Sequence, residues 1–297
     1  MKRIHEKDLF EVSDTLYPHG RLINAKRLEG GFSCDVFILD IQTAHKESKL
    51  VLRSEGSYPA DNSIETEFNL LKVLNTTNLP VSEAIYLDTS CKILHRPFMI
   101  MSYLDGSLGT SNEKVICDHE LMATQLRNIH QIEIDKLSGL SLRVDPLDQL
   151  LSYIPKGRDW NEIRNFIKNL SIDEYKGKKC LLHGDYWPGN ILWNNENISG
   201  ILDWEYAAIG DPLADLAVTC LDARYSFGEI GMNSFKQKYL GNEKIDEYRF
   251  NLWLIYIAAS TLHYINNWNL DKQTKTIMKR ESKLTILSSF NIIKNQS

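Results

Sequence analysis

From Arg21 onward the chain sets short apolar runs against polar turns. Residues Leu22 to Leu28, Asp35 to Ile41 and Lys49 to Arg53 read as three strands, the first two joined by Glu29-Gly30-Gly31-Phe32-Ser33. The period then changes. Ile64, Phe68, Leu71 and Leu74 recur at helical spacing, and Asn62 with Glu65 three residues on forms a capping-box pattern at the helix start. Pro97 to Tyr103 reads as a buried strand, with Leu104-Asp105-Gly106 as its exit.

Beyond residue 105 helical patterns dominate. Residues 112–130, 245–267 and 271–291 read as helices, and Asp211 directly before Pro212 is a helix-start signal. Between them lie short strand-like stretches: Cys180-Leu181-Leu182, then Ile191-Leu192-Trp193 and Ser199-Gly200-Ile201-Leu202 as a hairpin about the turn-rich residues 194–197. The apolar run from Leu252 to Leu262 is interrupted by Ser260 and Thr261 and is too short to span a bilayer, so it reads as a buried helix. The change of character predicts a β-rich part over 1–104 with one main helix, and a larger, mainly helical part over 105–297.

Length and composition narrow the function. A chain of 297 residues with 43% hydrophobic content can bury a substantial core. A net charge of −5 without a compensating basic run offers no electrostatic footprint for nucleic acid. A small molecule is therefore the expected partner, rather than nucleic acid, a membrane or an obligate protein. The five cysteines (Cys34, Cys91, Cys117, Cys180, Cys220) are scattered and form no Cys-x-x-Cys pair, which suits a reducing cytoplasm. The basic residues at the amino terminus have no apolar segment behind them, so no secretory signal is expected.

The chemistry concentrates in His183-Gly184-Asp185-Tyr186-Trp187-Pro188-Gly189-Asn190 and the following Ile201-Leu202-Asp203-Trp204-Glu205. Phosphoryl transfer needs a group that orients the acceptor, oxygen ligands for a metal, and offsets for phosphate charge. Asp185 suits the first role. Asn190, five residues on, offers an amide oxygen, and Asp203 a full carboxylate, to hard Mg²⁺. The hairpin brings Asn190 and Asp203 to one end. His183 reads as a structural imidazole that holds the loop. A zinc or di-metal hydrolase is the rival use of His183-x-Asp185, weakened because no second His/Asp cluster occurs among the eight histidines.

The amino-terminal part supplies complementary groups. Gly30 and Gly31 let backbone N–H groups approach phosphate, and Ser33 adds a hydroxyl. On a strand, Lys49, Val51 and Arg53 share a face, which points a cation beneath that turn. Glu67 sits within the apolar helix stripe, where a carboxylate needs a partner, and Arg53 is the obvious one. Met101, Ser102 and Tyr103 stand where a strand end can present backbone groups to a purine. Glu205, Asp222 and Glu229 are candidate acids for attracting a cationic acceptor. The segment around Trp253, Tyr256, Tyr264 and Trp268 offers an aromatic wall for a bulkier one.

The blocks LLHGDYWPGNILW and GILDWEYAAIGDPLADLA resemble those of the aminoglycoside phosphotransferase-like family of small-molecule kinases, over about residues 20 to 220. The resemblance implies an α+β, two-lobed protein-kinase-like fold. It matches Asp185 to the catalytic aspartate, Asn190 and Asp203 to metal ligands and Glu67 to the helix glutamate. It matches Gly30 to Ser33 to the phosphate loop and Met101 to Tyr103 to the hinge, and makes Asp211 and Asp215 structural. Arg53 stands where many relatives carry lysine. The implied activity is Mg²⁺-dependent transfer of the γ-phosphate of ATP or GTP to a hydroxyl, foremost on an aminoglycoside-like antibiotic and next on a macrolide. A metabolic kinase of the choline, homoserine, methylthioribose or sugar type, and a nucleotide-binding pseudokinase, are the alternatives.

Overall fold

The predicted amino-terminal strands pair with one another as their apolar faces require. The computed structural model describes residues 4–28, 34–44, 46–56, 61–109, 118–143, 147–171 and 173–296. Helix α1 (Glu6–Leu16) precedes β1 (Arg21–Leu28), β2 (Cys34–Gln42) and β3 (Glu47–Glu55). Helix α2 (Ile64–Leu74) follows, then β4 (Ala84–Asp88) and β5 (Phe98–Ser102), and the antiparallel sheet has the order β1-β2-β3-β5-β4. Side chains alternate across it. Leu39, Ile41, Leu50, Leu52, Phe98 and Ile100 share a core with Leu9 and Val12 of α1, so Arg53 and its register partner Met99 emerge on the opposite face.

Two details of α2 differ from the sequence reading. Its cap is Ser63, whose side chain accepts from the Thr66 N–H at 3.2 Å. Asn62 is buried instead and donates its amide to the Ala207 carbonyl at 2.8 Å. The buried stripe is Ile64, Glu67, Leu70, Leu71 and Leu74, with Phe68 half-exposed. That phase puts Glu67 in the middle of the stripe.

The remaining strands are short: β6 (Ser107–Leu108), β7 (Cys180–Leu182), β8 (Ile191–Asn194), β9 (Asn197–Ile201) and β10 (Ala208–Gly210). They form a sheet of order β6-β8-β9 and an antiparallel β7–β10 pair. Packing divides the chain into two units. One comprises Met1–Lys114, Glu133–Leu140 and Pro188–Ala207, the other Val115–Ile132, Ser141–Trp187 and Ala208–Ser297. The sequence reading drew one boundary after residue 104. The units interleave instead, because the β8–β9 hairpin pairs with β6 and so groups with the amino-terminal strands.

The second unit contains α3 (His119–His130), α4 (Leu147–Tyr153), α5 (Asn161–Asn169), α6 (Pro212–Leu240), α7 (Glu247–Tyr264) and α8 (Lys272–Lys294). Ile163 and Ile167 of α5, Leu221 of α6, Leu252, Ile255 and Ala258 of α7, and Ile286 and Phe290 of α8 share one core. The apolar run at 252–262 is thus largely interior, as its sequence suggested. The start of the helix expected over 112–130 lies outside the described residues. Helix α6 is interrupted at Gly228, whose φ of 67° and ψ of −163° are not helical. Arg224 pairs with Glu281 at 2.9 Å and Tyr225 bonds Ser282 at 2.7 Å, tying α6 to α8. Among the described residues no helix is long and apolar enough to cross a membrane.

Capping by Ser63 makes a quantitative expectation. Ser63→Ala lowers stability by about 1 kcal/mol, the usual worth of a cap side chain, measured as a shift in the urea midpoint at unchanged slope. A neutral Ser63→Ala beside a large loss in Asn62→Ala would return the cap to Asn62.

Candidate active site

In the first unit the central feature is Arg53. It is 7% exposed and donates through Nε to Glu67 Oε2 at 2.9 Å, and through Nη2 to Asp203 Oδ1 at 2.7 Å and Glu205 Oε2 at 2.8 Å. Burial works against its charge, but Glu67 and Asp203 more than offset this and hold the guanidinium well above its ordinary pKa. Glu67 is itself a weakened acid: burial raises its pKa and Arg53 lowers it only in part. Cys34 completes the cluster, its thiol 3.8 Å from Glu205 Oε2; burial pushes it up to about 12, so it is a neutral donor. With all three carboxylates ionised, the cluster around one guanidinium carries a negative excess.

The pairing of Arg53 with Glu67 was expected; the place of Glu205 was not. It is buried and bonded to Arg53, so it is not an open acid awaiting a cationic acceptor. The signal was available in the pattern: Glu205 lies two residues after Asp203, where both can reach one cation.

The β8–β9 hairpin positions the two candidate metal ligands. Ile191 pairs with Ile201, and Leu202 N–H donates to the Asn190 carbonyl at 2.8 Å, so Asn190 and Asp203 flank the same end. Asp203 has a φ of 65°, in the left-handed region that Asp tolerates better than most residues. Such backbone strain concentrates where a side chain must be aimed. At the other sheet, the Ser102 N–H is engaged by the Glu83 carbonyl at 2.9 Å and the Tyr103 N–H by that of Lys49 at 3.4 Å. Those two N–H donors of the expected hinge are therefore used within the unit. Gly30, Gly31 and Ser33 lie outside the described residues.

In the second unit the loop after β7 is held by Asp215. This fully buried carboxylate accepts from the backbone N–H groups of His183 at 2.7 Å and Gly184 at 2.9 Å, and lies 3.2 Å from His130 Nε2. Burial works to raise its pKa, but the hydrogen bond and charge of His130, with His183, hold it below the ordinary range. His183, fully buried, accepts from the Asp185 N–H through Nδ1 at 3.3 Å. Asp185 is half-buried, and Trp187 donates its indole N–H to the carboxylate at 3.2 Å. Asp211 caps α6 by accepting from Leu213 N–H at 2.9 Å and is gripped by Arg249 and Trp253 of α7.

Of the expected acceptor acids, Asp222 is half-buried on α6 and Glu229 is exposed just past the Gly228 break. Burial, then the charge of Asp185, push Asp222 up to about 7. The aromatic segment divides. Trp253 is core, committed to Asp211, whereas Tyr256 and Tyr264 pack edge-on to Tyr153 at 5.6 and 5.7 Å.

These environments predict opposite pH effects. Asp215→Ala destabilises by about 3 kcal/mol at pH 7, because buried donors lose their charged acceptor. Because the fold holds the pKa of Asp215 below its ordinary value, the charge-linked part of this stabilisation is present above about pH 4 and lost in acid, so the gap between variant and wild type narrows there in thermal unfolding. Asp222→Asn behaves in reverse. Its folded pKa lies above the unfolded value, so ionisation costs stability as pH rises toward and through about 7. The Asn variant should match wild type near pH 4 and exceed it at pH 8; equal melting temperatures at pH 8 would overturn that assignment.

Comparison with known proteins gives the chain's family. Acyl-CoA dehydrogenase family member 10 of Mus musculus is 25% identical over 252 residues, which is 75% of this chain but only 23% of that protein. The chain therefore spans about a quarter of this relative. A protein of Lactococcus lactis subsp. lactis named as a probable aminoglycoside 3'-phosphotransferase is 26% identical over 241 residues, covering 73% of this chain and 88% of that one. Two solved structures share the fold. The GDP complex of aminoglycoside 2'-phosphotransferase-IIIa has a TM-score of 0.68 at 15% identity, over 94% of this chain and 99% of that one. A macrolide 2'-phosphotransferase type I has a TM-score of 0.63 at 17% identity, over 95% and 98%. Residues 24–250 match the model of the phosphotransferase enzyme family, and with most of its length inside that match, the chain belongs to this family.

Proposed function

We propose that the protein is a Mg²⁺-dependent O-phosphotransferase that moves the γ-phosphoryl group of ATP or GTP to a hydroxyl of a small molecule, foremost an aminoglycoside-like antibiotic. The observation that carries this reading is the buried Arg53 cluster: a cation on a strand, gripped by a helix carboxylate and by Asp203 at the end of the β8–β9 hairpin. A guanidinium held this way offsets phosphate charge without reorganising. Asp185 orients the acceptor hydroxyl and takes its proton, aimed by the Trp187 indole and the His183 ring. Asn190 and Asp203 fit Mg²⁺, since both offer hard oxygen ligands and the carboxylate excess around Arg53 suits a divalent cation. The bound ion supplies charge neutralisation on the phosphate oxygens.

The names of the aminoglycoside and macrolide phosphotransferases support an antibiotic acceptor. The mouse relative favours a second reading, in which the acceptor is a hydroxyl on a metabolite of acyl-CoA chemistry. Nucleoside-diphosphate release, measured with ATP and with GTP against aminoglycosides, macrolides, choline and a hydroxyacyl thioester, separates them. Release should depend on one acceptor class and on Mg²⁺. Asp185→Ala and Asp203→Ala should each lower it by at least about a hundredfold while far-ultraviolet circular dichroism stays unchanged. Undiminished transfer in either variant would remove that residue from the mechanism.

A further inference from the structure

Donor counting around Arg53 carries an inference that rests on the reading of Arg53 as a phosphate contact and deepens it. A guanidinium holds five N–H groups in a fixed plane, whereas an ammonium has three. Nε answers Glu67, and the two N–H groups of Nη2 answer Asp203 and Glu205. Nη1 makes no hydrogen bond to any described residue.

Glu205 is set there firmly. Its side chain is buried, and its backbone carbonyl accepts from the Asn62 N–H at 3.0 Å. The Asn62 amide also holds the Ala207 carbonyl at 2.8 Å. Asn62 stands two residues before α2, the helix that carries Glu67. The two buried carboxylates on Arg53 are thus both referenced to the start of one helix, while Asp203 is a third exposed.

A lysine at position 53 has donors enough for Glu67, Asp203 and one phosphate oxygen. Glu205 would then stay buried without the guanidinium it now meets at 2.8 Å, which is costly. We propose that Glu205 is a positioning residue for Arg53: its carboxylate fixes the plane of the guanidinium so that Nη1 is presented to the phosphates of the donor nucleotide. The same carboxylate makes arginine, rather than lysine, the residue that position 53 requires. Glu205 acts through Arg53, which it meets at 2.8 Å.

A double-mutant cycle of Arg53→Lys and Glu205→Gln tests this, read by titration with Mg·ADP and Mg·GDP in the absence of acceptor, by thermal unfolding, and by the separate KM values for nucleotide and acceptor. Arg53→Lys should weaken nucleotide binding about tenfold or more. Glu205→Gln should raise the nucleotide KM several-fold and leave the acceptor KM unchanged. The double variant should bind nucleotide at least about threefold more tightly than Arg53→Lys alone, a coupling typical of groups in contact. Losses that simply multiply, or a Glu205→Gln protein with wild-type nucleotide affinity, overturn the proposal while leaving the phosphotransferase reading intact. Wild-type protein that binds neither nucleotide overturns that reading, and this inference with it. If Arg53→Lys alone does not fold, recovery of a folded, nucleotide-binding double variant supports the pairing, and an unfolded double variant refutes it.

Discussion

A buried guanidinium surrounded by carboxylates organises the amino-terminal unit. Arg53 belongs to the middle of a five-stranded sheet, Glu67 to a helix on one of its faces, and Asp203 and Glu205 to the chain that follows a hairpin far along the sequence. Any one of these charges alone would be expensive to bury. Joined, they lock strand, helix and hairpin into one arrangement, because shifting any element would leave a charge unanswered. The interaction constrains geometry, whereas a buried ion pair by itself is weak evidence for stability.

The second unit solves a related problem with a different device. The loop that carries Asp185 leaves the strand pairing of β7, and there the N–H groups of His183 and Gly184 are answered by Asp215. One carboxylate, rooted in the first turn of α6, supplies both acceptors and meets His130 as well. Asp211, four residues earlier, does for α7 what Asp215 does for the loop, through Arg249 and Trp253. The short segment 211–215 therefore anchors a helix on one side and the loop of Asp185 on the other.

Much of this was legible in the sequence, and the exceptions have physical causes. Strands β2 and β3 and helix α2 follow from periodicity, and α7 from its apolar run. The pairing of Glu67 with Arg53 followed from the cost of a carboxylate on an apolar stripe. Helix α1 was missed because Leu9 and Val12 are a thin stripe among charges, and only the sheet core against which they pack reveals it. Asn62 matched a capping pattern, yet tertiary contacts with Ala207 claimed its side chain and left the cap to Ser63. Glu205 is a candidate acceptor acid in the sequence because composition cannot tell a solvated carboxylate from one folded onto a cation 152 residues away. The interleaved units escaped notice for the same reason: they depend on β8 meeting β6, a long-range pairing that no local pattern encodes.

The break in α6 shows how much can hang on a single residue. A side chain at Gly228 would meet no atom within 4 Å, so crowding does not exclude other residues there; the torsion angles alone do. Everything downstream in that helix takes its rotational phase from this pair of angles, including Ser234, which meets His119 at 3.0 Å, and Lys236, which meets Glu247 at 2.8 Å. Glycine at this position works as a swivel whose setting decides which way three further turns of helix face.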